Sequence, residues 1–240
     1  MQTPLPRWFA HRGGGSLAPE NTLAGIRLAA RLGFRAVEFD VMLSGDGTPV
    51  LIHDETLART TNGVGRVCDT PDAMLFALDA GQGERIPRFT EATALCRELG
   101  LLANVEIKPA TGQEIETAER VAKLTAELWH GAPVQPLISS FSLAALEVAR
   151  DLAPGIARGV LFEAVPAGWL AEIRRLQAFS LHCDADLLHD EVLVEARGRG
   201  LPVLCYTVNS EKKAKMLFAR GVSALFTDRL DLFAPDSISP

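Results

Sequence analysis

The sequence predicts a (β/α)8 TIM barrel with a β-hairpin and a small insertion after the second strand. Short β-rich runs alternate with helical patterns along the chain, which is typical of parallel α/β architectures. The chain has 240 residues, and α/β barrels commonly reach roughly 200–250 residues as one unit. Residues 1–240 are therefore expected to form a single domain, with an insertion at about residues 56–85.

The first βα unit opens the chain. The strand Trp8–Ala10 is followed by a helix from about Thr22 to Leu32, in which apolar residues recur at helical spacing. Asn21 is the expected N-cap of this helix, because its side chain can accept a hydrogen bond from a free backbone amide. The second strand is Ala36–Val41.

The segment after the second strand decides the strand count. Asp46-Gly47 is a hairpin signal, and Pro49–His53 follows it as a further strand. A parallel neighbour would need a crossover of about a dozen or more residues, which this spacing does not provide. Pro49–His53 should therefore run antiparallel to Ala36–Val41, outside the barrel count. The glycine- and turn-rich stretch Asp54–Pro87 comes next, and long loops of this kind usually serve a function.

Six further strands bring the barrel count to eight. They are Leu102–Ile107, Pro136–Ser140, Ala157–Leu161, Phe179–Cys183, Pro202–Tyr206 and Ala224–Thr227. The helices are predicted at about Thr90–Leu99, Gly112–Trp129, Leu143–Asp151, Ala167–Leu176, Glu191–Gly198, Glu211–Arg220 and, as a last short one, Asp228–Phe233. Ala234–Pro240 is expected to be a loose tail.

Composition narrows the classes of partner and compartment. The net charge of −6 argues against nucleic acid or an anionic membrane as the main partner, so a bound anion would need local positive charge. The four cysteines show no C-x-x-C spacing, which favours buried thiols in a reducing compartment.

No apolar run approaches about 18 residues and no signal-peptide pattern precedes the first strand. We expect a cytoplasmic protein, and the sequence leaves monomer and homodimer both open.

Acidic side chains gather at the predicted carboxyl ends of strands, where TIM barrels place their active sites. Glu38 and Asp40 are two residues apart and so face the same side of one strand, and Glu106 with Lys108 repeats this spacing on the next. Inward-facing acids are costly unless they are paired or bind a metal. Three carboxylates with no histidine or cysteine between them predict an oxygen site for one divalent cation, Mg²⁺ or Ca²⁺. The alternative is a salt-bridge cluster with Lys108 and Arg12.

Two histidines lie at strand ends beside these acids. His11 and His53 fit a general acid and a general base, because an unperturbed histidine has a pKa of about 6.5. His130, His182 and His189 lack this context and are expected to be hydrogen-bonded core residues.

Local positive charge for a phosphate is expected from Arg12 and Lys108. The glycine run at residues 13–15 would let backbone amides approach the same anion, although a glycine run alone is a weak signal.

These motifs together resemble the glycerophosphodiester phosphodiesterases, and the resemblance covers nearly the whole chain in order. The motifs are His11-Arg12-Gly13, Pro19-Glu20-Asn21-Thr22, Glu38-Phe39-Asp40-Val41, Asp46-Gly47, Pro49-Val50, His53-Asp54, Arg59-Thr60-Thr61 with Gly63, Glu106-Ile107-Lys108-Pro109, Ser140-Phe141, Tyr206-Thr207-Val208-Asn209 and Thr227-Asp228.

The resemblance implies a phospholipase-C-like barrel that hydrolyses glycerophosphocholine, glycerophosphoethanolamine or similar diesters to sn-glycerol 3-phosphate and an alcohol. It implies that His11 and His53 are the acid/base pair. It also implies that the three carboxylates bind the cation and that Arg12 and Lys108 contact phosphate. Residues from about 56 to 85 resemble the inserted region that lies over the family's substrate pocket.

Two positions depart from the family pattern. Tyr206 stands where tryptophan is commoner, which keeps an aromatic ring in the expected substrate pocket. Ser223 replaces a usual aspartate near the last strand, at a position expected to be structural.

The residues leave two other functions open. One is a phospholipase-D-type lyase acting on lysophospholipid or sphingolipid, which the absence of a signal sequence disfavours. The other is a non-catalytic barrel that binds glycerophosphodiesters, which predicts loss of a histidine or carboxylate that this chain retains.

Overall fold

The computed structural model of the chain describes residues 5–233. The strands are β1 (Trp8–Ala10), β2 (Ala36–Leu43), β3 (Pro49–Leu51), β4 (Leu102–Ile107), β5 (Leu137–Ser140), β6 (Ala157–Phe162), β7 (Ser180–Asp184), β8 (Val203–Tyr206) and β9 (Ala224–Thr227). The helices are α1 (Leu23–Arg31), α2 (Asp72–Leu75), α3 (Phe89–Leu99), α4 (Glu114–Leu128), α5 (Leu143–Leu152), α6 (Trp169–Arg175), α7 (Asp190–Arg197) and α8 (Glu211–Arg220). A 3₁₀ helix covers Val67–Asp69.

Eight parallel strands close into a barrel, which confirms the predicted fold class. Each barrel strand pairs with the next, from β1 through β2 and β4 to β9, and β9 returns to pair with β1. Strand β3 pairs antiparallel with β2, with Val41 opposite Leu51 and Leu43 opposite Pro49. The hairpin prediction is therefore confirmed, and β3 stands outside the barrel as expected.

Alternate residues of the strands fill the barrel interior. One apolar cluster comes from six strands and comprises Phe9, Ala36, Leu102, Leu137, Leu204, Ala224 and Phe226. Side chains two positions further along a strand face the same way. The inward rows therefore continue past this apolar floor to His11, Glu38, Glu106, Tyr206 and Asp228, which explains why polar groups meet at one end of the barrel.

A larger apolar cluster fills the layer between the barrel and its helices. It includes Trp8, Val41 and Val105 from the strands, and Ile26 and Trp129 from the helical layer. All four cysteines are free; three are buried and Cys68 is half-buried. The expectation of buried thiols therefore holds for three of them.

Helix α1 begins at a different cap from the one predicted. Thr22 is the N-cap, and its hydroxyl accepts from the backbone N of Gly25 at 3.2 Å. Asn21 has a left-handed backbone (φ 57°) and turns its side chain toward Asp40 instead. The N-cap assignment of Asn21 was wrong because a buried carboxylate needed that side chain as a partner.

The insertion between β3 and α3 has a small core of its own. Apolar residues of this segment pack against the β2–β3 hairpin; the cluster comprises Met42, Val50, Ile52, Leu57, Val67, Leu75, Ala80, Ile86 and Ala110. Asp72 ties α2 to the hairpin by accepting from Ser44 Oγ at 2.5 Å and from Thr48 Oγ1 at 2.6 Å. The insertion is thus fixed to the barrel through β2 and β3.

The carboxyl end of the described chain differs from prediction. Residues 230–232 form a turn where a short helix over Asp228–Phe233 was expected. Asp228 is drawn into side-chain contacts with the barrel rim, and its backbone N–H donates to Asn209 at 2.8 Å, so the segment does not begin a helix. The predicted tail, Ala234–Pro240, lies outside the described residues. Within residues 5–233, no helix combines the length and the apolar character that a membrane crossing would require.

Candidate active site

A pocket of about 200 Å³ opens at the carboxyl ends of the barrel strands. It is lined by His11, Arg12, Glu38, Asp40, His53, Asn104, Glu106, Lys108, Phe141, Leu161, His182, Tyr206, Thr207 and Phe226. The structure therefore brings together every site residue that the sequence predicted, including His53 from the hairpin and Tyr206 from β8. The Ile52 backbone N–H donates to the backbone carbonyl of Asp40 at 3.2 Å, which extends the hairpin pairing to the residue before His53.

Three buried carboxylates form the centre of the pocket. One oxygen from each of Glu38, Asp40 and Glu106 lies within 4.8 Å of the other two. Burial, with the charge of Asp40 nearby, raises the pKa of Glu38 well above its ordinary value and raises that of Glu106 to about 8. Burial alone would also raise the pKa of Asp40, but Lys108, His53 and Arg12 outweigh it and keep that pKa low. Two of the three acids are thus disfavoured in their charged forms unless further positive charge reaches them.

The donor set fits a hard divalent cation. Within the described residues, Glu38 Oε1 and Glu106 Oε1 are buried without a hydrogen-bond partner, and such atoms are costly unless something binds them. All three ligating groups are carboxylates, the donors that Mg²⁺ and Ca²⁺ prefer. Lys108 Nζ lies 3.6 Å from both Asp40 Oδ1 and Glu106 Oε1, so it neutralises part of the cluster while leaving these oxygens open.

Asp40 is held in place by Asn21. The Asn21 side-chain amide donates to Asp40 Oδ2 at 2.9 Å, and its carbonyl accepts from the Asp40 backbone N–H at 3.1 Å. This two-way contact fixes both the strand and the carboxylate, which are buried along with Asn21.

His11 is oriented by a carboxylate at the end of β9. Asp228 Oδ1 lies 2.7 Å from His11 Nδ1, and Asn209 donates to the other oxygen of Asp228 at 2.9 Å. The opposite ring nitrogen, Nε2, lies 3.9 Å from Glu38 Oε2. A carboxylate at Nδ1 favours the tautomer with a proton there, which leaves Nε2 to act toward the pocket.

His53 is oriented in the same way by its neighbour. Asp54 Oδ1 lies 2.5 Å from His53 Nδ1, and Lys108 Nζ lies 2.7 Å from Nε2. Burial lowers the pKa of His53, and the positive charges of Lys108 and Arg12 add to this effect against the opposing charge of Asp40. His53 is thus biased toward its neutral form.

Arg12 reaches the same volume from the β1–α1 loop. Its backbone N–H donates to Glu38 Oε2 at 2.9 Å, and its Nη1 donates to Glu20 at 2.9 Å. Its Nε is buried, has no hydrogen-bond partner within the described residues and lies 3.9 Å from Asp40. Arg12 and Lys108 therefore place two positive charges beside the three buried carboxylates.

The glycine run does not supply anion-binding amides. The backbone N–H groups of Gly13, Gly14 and Gly15 donate to the carbonyls of Glu38, Arg12 and His11. The expectation that these amides approach an anion is therefore wrong, since two of them bond within the loop and that of Gly13 bonds to β2. The glycines serve close packing instead: a Cβ on Gly14 would stand 2.8 Å from Gly25 Cα.

One wall of the pocket is aromatic. Phe141 and Tyr206 meet edge to face with ring centroids 5.9 Å apart, and 45% of Phe141 is exposed. Tyr206 donates its hydroxyl to the Phe162 carbonyl at 2.8 Å, and burial raises its pKa. The Tyr206 hydroxyl is therefore already used within the protein, while the side chain still lines the pocket.

The floor of the pocket carries two polar residues that the sequence did not identify as part of a site. His182 was expected to be a core residue and is fully buried, with Nε2 2.9 Å from Ser180 Oγ. Asn104 donates to Ser139 Oγ at 3.0 Å. Within residues 5–233, His182 Nδ1 and Asn104 Oδ1 have no partner, so both can bind water or a ligand hydroxyl.

The other two histidines do not behave as expected. His130 and His189 are exposed and not buried in the core. His130 follows the end of α4, and His189 is the N-cap residue of α7. The prediction that both are core residues was wrong, because distance from the candidate site does not indicate burial.

Comparison with known proteins identifies relatives over nearly the whole chain. The sequence model described as Glycerophosphoryl diester phosphodiesterase family matches residues 11–232. A glycerophosphodiester phosphodiesterase of Caldanaerobacter subterraneus subsp. tengcongensis is 33% identical over 228 residues, covering 92% of this chain and 93% of the relative.

Solved structures show the same architecture. An Oleispira antarctica phosphodiesterase, determined in complex with the product sn-glycerol-3-phosphate, has a TM-score of 0.88 and 39% identity, with 93% of each chain covered. A glycerophosphodiester phosphodiesterase from Agrobacterium tumefaciens has a TM-score of 0.79 and 28% identity, covering 96% of this chain and 99% of its own.

The fold and these matches together define a TIM-barrel hydrolase. Within that class, the chain belongs to the glycerophosphodiester phosphodiesterase family.

Proposed function

We propose that the protein hydrolyses glycerophosphodiesters, such as glycerophosphocholine and glycerophosphoethanolamine, to sn-glycerol 3-phosphate and an alcohol in a metal-dependent reaction. The observation that carries the proposal is that two histidine–carboxylate pairs share one pocket with three buried acids and two cationic side chains. The Oleispira phosphodiesterase complex with sn-glycerol-3-phosphate supports the substrate class.

Glu38, Asp40 and Glu106 would hold one divalent cation, Mg²⁺ or Ca²⁺. When bound, such an ion supplies positive charge that polarises a phosphoryl oxygen. The Lys108 ammonium and the Arg12 guanidinium face the same volume and would bind the remaining phosphate oxygens. Because the overall charge of the chain is −6, these local cations are needed to attract the anionic diester.

His11 and His53 would move the protons. Each ring is held at Nδ1 by a carboxylate, so each directs Nε2 toward the pocket. One histidine would take a proton from the nucleophile, and the other would donate one to the departing alkoxide. The nucleophile is either water or the glycerol hydroxyl next to the phosphate, and the second route gives a cyclic phosphate. Hydrolysis in ¹⁸O-labelled water with analysis of cyclic products separates these routes.

A turnover assay with glycerophosphocholine tests the proposal. The purified protein is incubated with Mg²⁺, Ca²⁺ or EDTA, and release of sn-glycerol 3-phosphate is measured. We expect activity with at least one cation and loss of activity in EDTA. Binding of the diester without turnover would instead identify a non-catalytic barrel, and turnover of lysophospholipid alone would identify the lyase.

His11→Ala and His53→Ala should each reduce kcat by roughly a hundredfold or more, since general acid–base catalysis contributes about 10²–10⁴. Circular dichroism should show an intact fold in both variants, because both side chains are partly exposed at the pocket rim. Near-normal turnover in either variant would remove that histidine from the mechanism. Residence in the cytoplasm and the monomer or homodimer state stay predictions, to be checked by fractionation and light scattering.

A further inference from the structure

Arg59 of the insertion makes four hydrogen bonds to two carboxylates at the edge of the pocket. Its Nε and Nη2 donate to Asp54 Oδ2 and Oδ1 at 2.6 and 3.0 Å. Its Nη1 and Nη2 donate to Glu20 Oε2 and Oε1 at 2.7 and 2.8 Å. One guanidinium therefore joins the carboxylates of two loops that belong to different βα units.

Each of these carboxylates continues to a group of the proposed mechanism. Asp54 is the partner of His53 Nδ1 at 2.5 Å, and Glu20 accepts from Arg12 Nη1 at 2.9 Å. The network thus runs from the proposed acid/base residue His53 to the proposed phosphate ligand Arg12, with Arg59 at its centre. Arg59 itself does not line the pocket, so it acts on these groups only through Asp54 and Glu20.

We propose that Arg59 is a positioning residue through which the insertion sets the orientation of His53 and the charge of Arg12. This role rests on the proposed function. It adds that Arg59, which does not line the pocket, acts on His53 and Arg12 through their carboxylate partners. A merely stabilising role is the alternative, because a guanidinium that bonds to two carboxylates also stabilises a loop, although 46% of the Arg59 side chain is exposed.

Loss of Arg59 would change both arms of the network. Asp54 would lose two of its hydrogen bonds and could turn away from His53, so the ring would lose its fixed tautomer and direction. Glu20 would keep Arg12 as its remaining cation, and its negative charge would then weaken the pull of Arg12 on a phosphate. The first change lowers kcat, and the second raises KM.

The geometry also requires arginine rather than any cation. The guanidinium fork matches two carboxylates at once, whereas a lysine ammonium is a point charge on a flexible stem. Arg59→Lys should therefore restore part of the charge effect on KM while leaving kcat low. Arg59→Met should lose both.

Arg66→Met is a matched control. Arg66 lies in the same insertion and is similarly exposed, 43% against 46%, but its partners Glu55 and Asp69 bond to Thr111 and Cys68 and not to His53 or Arg12. We expect Arg59→Met to lower kcat about tenfold or more, in line with the cost of small misplacements in active sites. Arg66→Met should stay within about twofold of the wild type, the size expected for a surface change. A kcat and KM for Arg59→Met as close to wild type as those of the control would overturn the proposal.

A second measurement does not depend on turnover. The Nδ1 protons of His11 and His53, each bonded to a carboxylate, should give downfield proton resonances in the wild type, assigned with His11→Ala and His53→Ala. In Arg59→Met and Arg59→Lys the His53 resonance should broaden or disappear. The His11 resonance should persist as an internal control, because Asp228 and Asn209 do not contact Arg59.

The two measurements separate the two proposals. A wild type without turnover defeats the proposed function, and the His53 resonance still decides whether Arg59 holds that ring. A His53 resonance that is unchanged in both variants refutes the positioning role even if the wild type is fully active. Loss of both histidine resonances in Arg59→Met, with retention in Arg59→Lys, would show a general structural role and would also overturn it.

Discussion

We predict that the buried His182 makes a contribution to the stability of the fold that is lost as the pH falls. The ring is fully buried beneath the pocket, and burial lowers its pKa from 6.5 to about 3. In the unfolded chain the same ring titrates near its ordinary value, so below that pH the unfolded state binds a proton that the folded state refuses. The contribution of His182 to stability is therefore intact above about pH 6.5 and is lost progressively as the pH falls from there toward about 3.

The size of the effect follows from the difference between the two pKa values. At pH 5 the unfolded ring is almost entirely protonated and the folded ring is almost entirely neutral. Each pH unit between 6.5 and 5 lowers the free energy of unfolding by about 1.4 kcal/mol. At pH 5 the contribution of His182 is therefore about 2 kcal/mol smaller than at pH 8. The three buried acids also titrate, but burial of Glu38 and Glu106 acts with the opposite sign. The contribution of His182 to the pH dependence of stability is therefore measured by comparison with a variant that lacks its ring.

Urea denaturation of the wild type and of His182→Gln in EDTA, at pH 8 and pH 5, makes this comparison. The free energy of unfolding of the wild type should fall by about 2 kcal/mol more than that of the variant between the two pH values. His130→Gln, the same replacement at an exposed position, should follow the wild type. The reasoning is refuted if wild type and His182→Gln lose the same free energy within about 0.5 kcal/mol, the usual scatter of surface changes.

Two further predictions concern a side chain that orients His11 and a close backbone contact. Asp228→Asn should lower kcat roughly 10²–10⁴-fold, by analogy with the orienting aspartate of serine proteases. The reason is that an amide beside His11 Nδ1 no longer selects the tautomer with a proton there. Steady-state kinetics would show this loss, and an unchanged kcat would contradict the prediction. Gly14→Ala should destabilise the fold by about 1–3 kcal/mol, because its Cβ would stand 2.8 Å from Gly25 Cα; thermal unfolding should show no such loss for Gly155→Ala, where nothing lies within 4 Å.

The barrel and the centre of the site were predictable because both depend on local patterns. Asp46-Gly47 and the short spacing after β2 identified the hairpin, and this removed one strand from the barrel count. The carboxyl ends of parallel strands meet at one rim, so Glu38, Asp40 and Glu106 had to converge once the strands were placed.

The partners of these residues were not predictable in the same way. Asp228 lies 217 positions from His11, and Arg59 lies 39 positions from Glu20. Such pairs depend on how the barrel closes and how the insertion folds back, which no local pattern specifies. At Asn21 a local pattern was misleading. The residue type and position favour a helix cap, but its side chain bonds to the buried Asp40 instead.

The two histidines are therefore held by different parts of the molecule. His11 and its partner Asp228 both follow strands that pair with each other, β1 and β9, so barrel closure alone brings them together. Asp54 leaves the hairpin beside His53, and the carboxylate is secured by Arg59 of the insertion. The insertion is itself anchored by a separate apolar cluster that includes Leu57, only two residues from Arg59.

This division has a consequence for stability and activity. Apolar substitutions in the insertion cluster should disturb the His53 pair while leaving the His11 pair and the barrel core intact, because the two cores are separate. Such a variant should show the circular dichroism of a folded barrel and a correctly oriented His11, while His53 is no longer held in position. Under the proposed role of Arg59, the insertion therefore contributes to the position of His53 a side chain that the eight barrel strands do not supply.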